Sequence, residues 1–218
     1  MGGKDSLDSI RVFEELALEY DKWFEENRFV YETELRAVRE HIPKGFGVEI
    51  GVGTGRFAAP LGVDIGVEPA RSMVRIARKR GLEVIIARAE KLPFKKAVFD
   101  YALLIVTICF IGEPIEALEE AKRVIKPGGS IIIGLIDKNS FLGKLYESRK
   151  EKSRFYRYAN FYSTKQVIEW LEELEFNSFK VSQTVFEEPK NIKNIQPVIR
   201  GYGEGGFVVV SGAKQGKS

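Results

Sequence analysis

Gly47-Val48-Glu49-Ile50-Gly51-Val52-Gly53-Thr54-Gly55-Arg56-Phe57 is the stretch that decides the fold. A short apolar run carrying one acid gives way to three glycines at alternate positions, which reads as a strand entering a glycine-rich turn. Glycines belong where the backbone turns with positive φ or passes close to a ligand, because a Cβ would obstruct both. The spacing is G-x-G-x-G. A dinucleotide fingerprint, G-x-G-x-x-G, needs glycine at position 56, where Arg56 stands, and no Lys-Ser/Thr follows in phosphate-loop register. The turn therefore points to a ligand without a pyrophosphate.

Outward from this turn, strands and helices alternate. The first strand covers 46–50 and the second 63–67, ending at Glu68-Pro69. A helix over 70–80 turns Met73, Ile76 and Ala77 inward and stops at Gly81. The third strand is Glu83–Ala87. The fourth, Phe99–Ile105, is the unalternating apolar run of a strand buried on both faces. A helix from Pro114 to Ile125 follows, and Pro127-Gly128-Gly129 turns the chain into a fifth strand, Ser130–Leu135. Residues 138–160 read as an insertion that interleaves charges with aromatics. Ser163-Thr164-Lys165-Gln166 is a capping box opening a helix. Two late strands, Phe179–Phe186 and Phe207–Ser211, flank a polar, glycine-rich stretch, and Gly212–Ser218 reads as a frayed tail. Upstream, residues 8–25 carry Val12, Phe13, Leu16, Tyr20, Trp23 and Phe24 at helical spacing. A second helix runs over 30–41 through Tyr31, Leu35 and Val38 until Pro43-Lys44-Gly45 stops it.

This order predicts an α/β fold: a doubly wound, mostly parallel, seven-stranded sheet with helices on both faces and a C-terminal antiparallel hairpin. At 218 residues, with 44% hydrophobic and 30% charged residues, the composition is that of a globular protein able to bury a full core. No apolar run approaches a membrane span, and a cytoplasmic location follows. A net charge of +3, with bases scattered among acids, does not argue for nucleic acid. The start matches the loose Met-Gly-x-x-x-Ser lipidation pattern, a match expected by chance. One cysteine, Cys109, and one histidine, His41, leave no cysteine- or histidine-based metal site, so no metal is expected. His41, just before the first strand, reads as a loop or helix-end residue.

Ligands of such sheets bind beyond the carboxyl ends of the strands, at the topological switch point. Four features fall on that edge in order. Glu49 and the glycines end the first strand. Glu68 ends the second, where a carboxylate can accept from two vicinal hydroxyls. Ala87-Arg88-Ala89-Glu90 ends the third, and Ile105-Val106-Thr107 the fourth. Singly, each also reads as an ordinary surface turn or solvated acid. Together they describe one site.

Here the chain resembles the class I S-adenosylmethionine-dependent methyltransferases, closely over 45–136. The matching text is Val48-Glu49-Ile50-Gly51-Val52-Gly53-Thr54-Gly55, Gly66-Val67-Glu68-Pro69-Ala70-Arg71-Ser72-Met73, Ala89-Glu90-Lys91-Leu92-Pro93-Phe94, Phe99-Asp100, and Ala121-Lys122-Arg123-Val124-Ile125-Lys126-Pro127-Gly128-Gly129. The resemblance implies S-adenosyl-L-methionine as cofactor, with S-adenosyl-L-homocysteine as product. It places Glu49, Gly51, Gly53 and Gly55 at the methionine end, Glu68 with Pro69 at the ribose, and Met73 beside the nucleoside. Ala89 and Glu90 fall at the adenine and Ile105 at the same edge. Many relatives carry aspartate where Arg88 stands. An arginine cannot accept a hydrogen bond, so adenine recognition rests on backbone or on Glu90. Asp64 competes with Glu68 for the ribose, but Gly-Val-Glu-Pro fits the family better.

The resemblance divides the single 1–218 methyltransferase domain into an N-terminal helical lid (1–44), a cofactor-binding core (45–136), an insertion placed to cap a substrate (138–162), and a C-terminal helix and hairpin (163–218). Methyl transfer from a sulfonium needs alignment and exclusion of water more than a conspicuous catalytic group. Thr107, Asp137 and Tyr20 are the catalytic candidates by position. Tyr20, Trp23, Phe24 and Tyr31 of the lid, with Tyr146, Phe155, Tyr156 and Tyr162 of the insertion, are candidates for an aromatic substrate pocket, since aromatic faces attract cations; the same rings serve equally to dock helices on the core. The fourth strand end lacks the Asn/Asp-Pro-Pro-Tyr/Phe of base-amino methyltransferases. The sequence thus reads as an enzyme methylating a nitrogen or oxygen of a small molecule, leaning to an amine, with no nucleic acid or membrane partner. A quinone, lipid-precursor or RNA methyltransferase, and a non-catalytic cofactor-binding protein, stay open beside it.

Overall fold

Gly47–Ile50 (β1) is hydrogen-bonded in parallel on both sides, to Ile65–Val67 (β2) and to Phe99–Ile105 (β4). The chain thus leaves it in two opposite directions. In the computed structural model, which describes residues 3–216, β2 continues to Glu83–Ile85 (β3) and β4 to Ile125–Ile136 (β5), all parallel. Phe207–Lys214 (β8) adds antiparallel to β5, Phe176–Thr184 (β6) antiparallel to β8, and the two-residue Ile199–Arg200 (β7) closes the edge. The order is β3-β2-β1-β4-β5-β8-β6-β7. The sheet has eight strands, not seven. The extra one is too short to carry a periodic signal.

Two further boundaries move for physical reasons. Lys126-Pro127-Gly128-Gly129 lies inside β5, because Phe99 pairs with Ile125 and Tyr101 with Ser130, so the segment bulges out of register. A Cβ at Gly129 would lie 2.5 Å from the Asp100 carbonyl oxygen. At the other end, Gly212, Ala213 and Lys214 are strand, not tail. They pair with β5 and β6, and the Lys214 ammonium donates to the carbonyls of Lys122 and Ile125. Met1-Gly2 of the lipidation pattern and the last two residues of the expected tail lie outside the described residues.

The helices pack on both faces. Side chains alternate along β4, so Tyr101, Leu103 and Ile105 join the core on one face and Ala102 and Leu104 that on the other. The second face carries Pro114–Val124 (α6) and Thr164–Glu173 (α8), the latter capped as expected by Ser163, which accepts from the Gln166 N–H. Ala58–Leu61 (α4) and Arg71–Lys79 (α5) follow the glycine turn and β2. Within 138–160 the chain forms Phe141–Ser148 (α7) and two short 3-10 turns, Lys150–Lys152 and Tyr156–Tyr158.

The N-terminal segment, expected as one helix over 8–25, is two: Gly3–Glu15 (α1) and Ala17–Glu26 (α2), broken at Leu16. Each half answers to a different anchor. On α1, Glu14 accepts from the N–H and hydroxyl of Ser72 at the first turn of α5, where a carboxylate meets the positive end of the helix dipole. On α2, Asp21 is drawn to Arg56 and Arg80. Hydrophobic spacing runs straight through the break, so periodicity alone reads one helix. Arg28–Arg39 (α3) then turns Val30, Thr33, Glu34, Ala37 and Val38 inward. At its end His41 is buried, its ring nitrogens 2.8 Å from the hydroxyls of Ser211 on β8 and Ser182 on β6. Burial lowers its pKa to about 4, so this imidazole is a neutral pin between α3 and the sheet.

Candidate active site

The carboxyl ends of β1, β2, β3 and β4 open into one cavity, roofed by α1, α2, α3 and α7. On the sheet side the backbone is bent to make room. Gly51 has φ +73°, and a Cβ there would sit 2.2 Å from Thr107 Cγ2. Directly across, Val106 holds φ +50° at the end of β4, a conformation a β-branched residue adopts only when its surroundings impose it. Two strained turns from neighbouring strands thus interlock at the switch point. Gly53 borders the cavity, where the nearest neighbour of an added Cβ is the Tyr20 ring at 3.5 Å. Gly55 does something else. It lets α5 approach: a Cβ there would meet Leu82 at 2.4 Å, and the residue is absent from the cavity wall.

Glu68 is buried at the end of β2 and borders the cavity. Its two oxygens accept from the backbone N–H of Gly53 (3.0 Å) and Ala70 (2.9 Å), which leaves each with a further lone pair for a ligand hydroxyl. Burial pushes its pKa up to about 7 against the opposing pull of those two N–H groups. Pro69, Met73, Ala89, Glu90 and Ile105 lie on the same wall. Arg88, the odd residue at the third strand end, pairs with Glu90 at 2.9 Å and fixes that carboxylate beside the cavity. Asp64, the rival acid, accepts from the Gly47 N–H at the opposite end of β1 and is not on the wall.

The roof is aromatic. Tyr20, Trp23 and Phe24 of α2 border the cavity with Tyr146 of α7. A chain of ring contacts links them through Tyr156, a pocket candidate of the insertion, and through Phe13 and Phe110, which sequence reasoning does not single out for the pocket: Tyr146 stacks on Tyr156 (4.7 Å), Tyr156 on Phe110 (6.0 Å), and Phe13 meets both Phe110 (4.9 Å) and Tyr20 (5.6 Å) edge-on. Salt bridges hold the roof down. Arg56, the residue that breaks the dinucleotide spacing, donates to Asp21 and Glu25, and Arg80 donates to Asp21. Burial opposes ionisation of Asp21, but those guanidinium groups keep its pKa below the usual carboxylate range.

Several expected residues stand elsewhere. Glu49 is buried off the cavity wall. One oxygen accepts from the Ala58 N–H, the other is an orphan, and burial holds its pKa well above the ordinary value. Tyr31 is turned outward by its own hydrogen bond to the Arg56 carbonyl and packs on Phe57 and Phe24. Tyr162 lies with the opposite core, edge-on to Trp170 of α8 at 4.8 Å. Asp137 is off the cavity wall: it accepts from Asn139 N–H and from the N–H and hydroxyl of Thr164, tying the end of β5 to the start of α8. Thr107 borders the cavity, but its hydroxyl proton is directed at the carbonyls of Gly51 and Ile105, tying the two strand ends.

One acid on the wall had no place in the sequence reading. Glu34 of α3 is buried and faces the cavity beside Val30, and burial raises its pKa to about 8. A signal existed: an acid in register with Val30, Ala37, Val38 and His41 on the inward stripe. The stripe of Tyr31, Leu35 and Val38 read from the sequence is centred too far round the helix to reveal it.

These residues fit an S-adenosyl nucleoside, with a carboxylate carrying spare acceptor capacity, a glycine turn open to the cavity and a mostly apolar roof. Comparison with known proteins agrees. Residues 48–133 match the family described as methyltransferase domain. An uncharacterised protein of Methanocaldococcus jannaschii is 53% identical over 205 residues, 94% of this chain and 100% of its own length. An uncharacterised protein of Mycobacterium tuberculosis is 32% identical over 209 residues, 91% of this chain and 72% of its own length. The crystal structure of an S-adenosylmethionine-dependent methyltransferase of Thermotoga maritima, described as a possible histamine N-methyltransferase, superposes with TM-score 0.93 at 50% identity, covering 95% of this chain and 100% of that one. The chain belongs to the class I S-adenosylmethionine-dependent methyltransferases and is an enzyme that uses S-adenosylmethionine as methyl donor.

Proposed function

We propose that this enzyme methylates a small molecule on nitrogen or oxygen, with an amine as the favoured acceptor. The observation that carries the reading is the roof. It encloses the cavity with aromatic rings from α1, α2, α7 and the turn at Tyr156, and sets one carboxylate among them. An enclosed aromatic pocket suits a compact, partly cationic acceptor. A nucleic-acid methyltransferase would need an open basic track. The similarity to the Thermotoga maritima protein supports the nitrogen preference.

When bound, the cofactor supplies an electrophilic methyl on a sulfonium sulfur. In this reading the chain's residues do the rest. Glu68 accepts from the ribose hydroxyls, Met73 and Ile105 pack the nucleoside, and the backbone at Ala89 with the Arg88–Glu90 pair meets the adenine. Gly51 and Gly53 let the backbone approach the methionine end. Residues 1–44 act as lid over the 45–136 core, and α7 with the Tyr156 turn completes the acceptor wall.

The test is incubation with methyl-labelled S-adenosylmethionine and separate pools of small amines, phenols and other alcohols, long-chain quinone precursors, and RNA. Label is expected in a small molecule, amines foremost. Label confined to RNA or to a long-chain quinone would overturn the reading.

A further inference from the structure

We propose that Glu34, with the rings of Tyr146 and Tyr156, forms a subsite that holds a positively charged nitrogen of the methyl acceptor. The proposal rests on the small-molecule reading above and deepens it.

The other two acids on the cavity wall have protein partners: Glu68 has two backbone N–H groups and Glu90 the Arg88 guanidinium, while Glu49, with its one orphan oxygen, lies off the wall. Glu34 is 6% exposed and borders the cavity, yet its carboxylate makes no hydrogen bond or salt bridge among the described residues. Burial without a partner disfavours the ionised carboxylate, which is why its pKa rises to about 8. The α3 stripe could hold leucine there at no such cost. A ligand that arrives with the missing charge would account for the acid.

The surroundings select the kind of ligand. Tyr146 and Tyr156 stack face to face and border the same cavity as Glu34. Burial raises the pKa of both phenols, and the Glu34 charge adds to that rise. Tyr20 of α2 borders the same cavity, its phenol kept protonated first by burial and then by the charges of Glu49, Glu68 and Glu34. Aromatic faces and a carboxylate together favour a cation over a neutral or anionic group. A metal ion does not fit, because no group of three or more His, Cys, Asp or Glu able to hold one exists among the described residues. An alcohol could take a hydrogen bond from the protonated acid, but would leave unused the charge that only an ammonium, imidazolium or guanidinium group can pair.

The experiment measures binding of 2-phenylethylamine and histamine, and of the neutral 2-phenylethanol, to protein saturated with S-adenosylhomocysteine, in wild type and Glu34→Gln. At least one amine is expected to bind wild type more than about tenfold tighter than the alcohol, and Glu34→Gln to erase that preference while S-adenosylhomocysteine binds unchanged. Without ligand, the Glu34→Gln variant is expected to melt at or above the wild-type temperature, and a purely structural acid would lower it. Equal binding of amine and alcohol, amine binding indifferent to the substitution, or no amine binding at millimolar concentration overturns the subsite. Those outcomes leave the small-molecule reading standing if label still reaches a neutral acceptor; label found only in RNA would instead remove that reading.

Discussion

Glu68 and Glu34 face the same cavity from opposite sides and are equally buried, at 7% and 6% exposed. They live under opposite conditions. The sheet side satisfies Glu68 from the turns at two adjacent strand ends, through the N–H groups of Gly53 after β1 and Ala70 after β2, and holds it ready whether or not a ligand is bound. The helical side gives Glu34 aromatic neighbours from distant parts of the chain and no hydrogen-bonding partner among the described residues. With the proposed roles, one wall is preorganised for the cofactor and the other leaves its strongest polar interaction to be completed by the acceptor, which would let the fold keep its donor while its acceptor varies.

The sharpest way to break this contrast is Glu68→Ala. If Glu68 holds the ribose, the variant loses two charge-assisted hydrogen bonds, each about 1.5–3 kcal/mol, and affinity for S-adenosylhomocysteine should fall at least about a hundredfold by calorimetry. The variant also strands two buried N–H groups, so some loss of melting temperature should accompany it. Unchanged affinity would mean that the preorganised wall is merely a cap for the glycine turn.

The same contrast explains what the sequence could reveal. The proposed cofactor residues fall within short segments at strand ends, where local chemistry is strict: Gly51 cannot take a Cβ beside Thr107, and Glu68 accepts from Ala70, two residues on, and from Gly53 of the neighbouring glycine turn. Such features print themselves as motifs. The acceptor wall joins Phe13, Glu34, Phe110, Tyr146 and Tyr156, which meet only through tertiary packing. Tyr31 and Tyr162 illustrate the limit. Both are aromatics in the right segments, and both are turned away, one by a hydrogen bond to Arg56 and the other by Trp170. Gly55 is the converse, a motif glycine required by helix packing rather than by the cavity wall.

A smaller effect should come from the clamp joining the two walls. Arg56 donates to Asp21 and Glu25 and also lies 5.7 Å from the Phe24 ring centroid, so it ties α2 to the core. Arg56→Ala leaves the half-buried Asp21 with Arg80 alone. We expect retention of cofactor to weaken by about tenfold, in line with the loss of one partly buried charge pair. The loss should appear mainly as faster dissociation in stopped-flow, because a loosened lid releases what the sheet side still binds. If the dissociation rate is unchanged, the roof takes no part in holding the cofactor, and the two walls are functionally separate.

The smallest expected effect tests whether the boundary between the walls is drawn correctly. Tyr162 was a candidate for the acceptor pocket, but its ring packs against Trp170 on the opposite face of the sheet. Its hydroxyl is the only atom that Tyr162→Phe removes, so the aromatic contact survives. Stability should therefore change by no more than about 0.5 kcal/mol, and KM for the acceptor and for S-adenosylmethionine should both stay at their wild-type values. Tyr156→Phe, on the cavity side, gives the reference. It removes a more deeply buried hydroxyl, from a ring that borders the cavity with Glu34, and should shift acceptor KM without shifting that of the cofactor. An acceptor KM that moves in Tyr162→Phe and not in Tyr156→Phe would reverse the assignment, placing the acceptor across the sheet from Glu34.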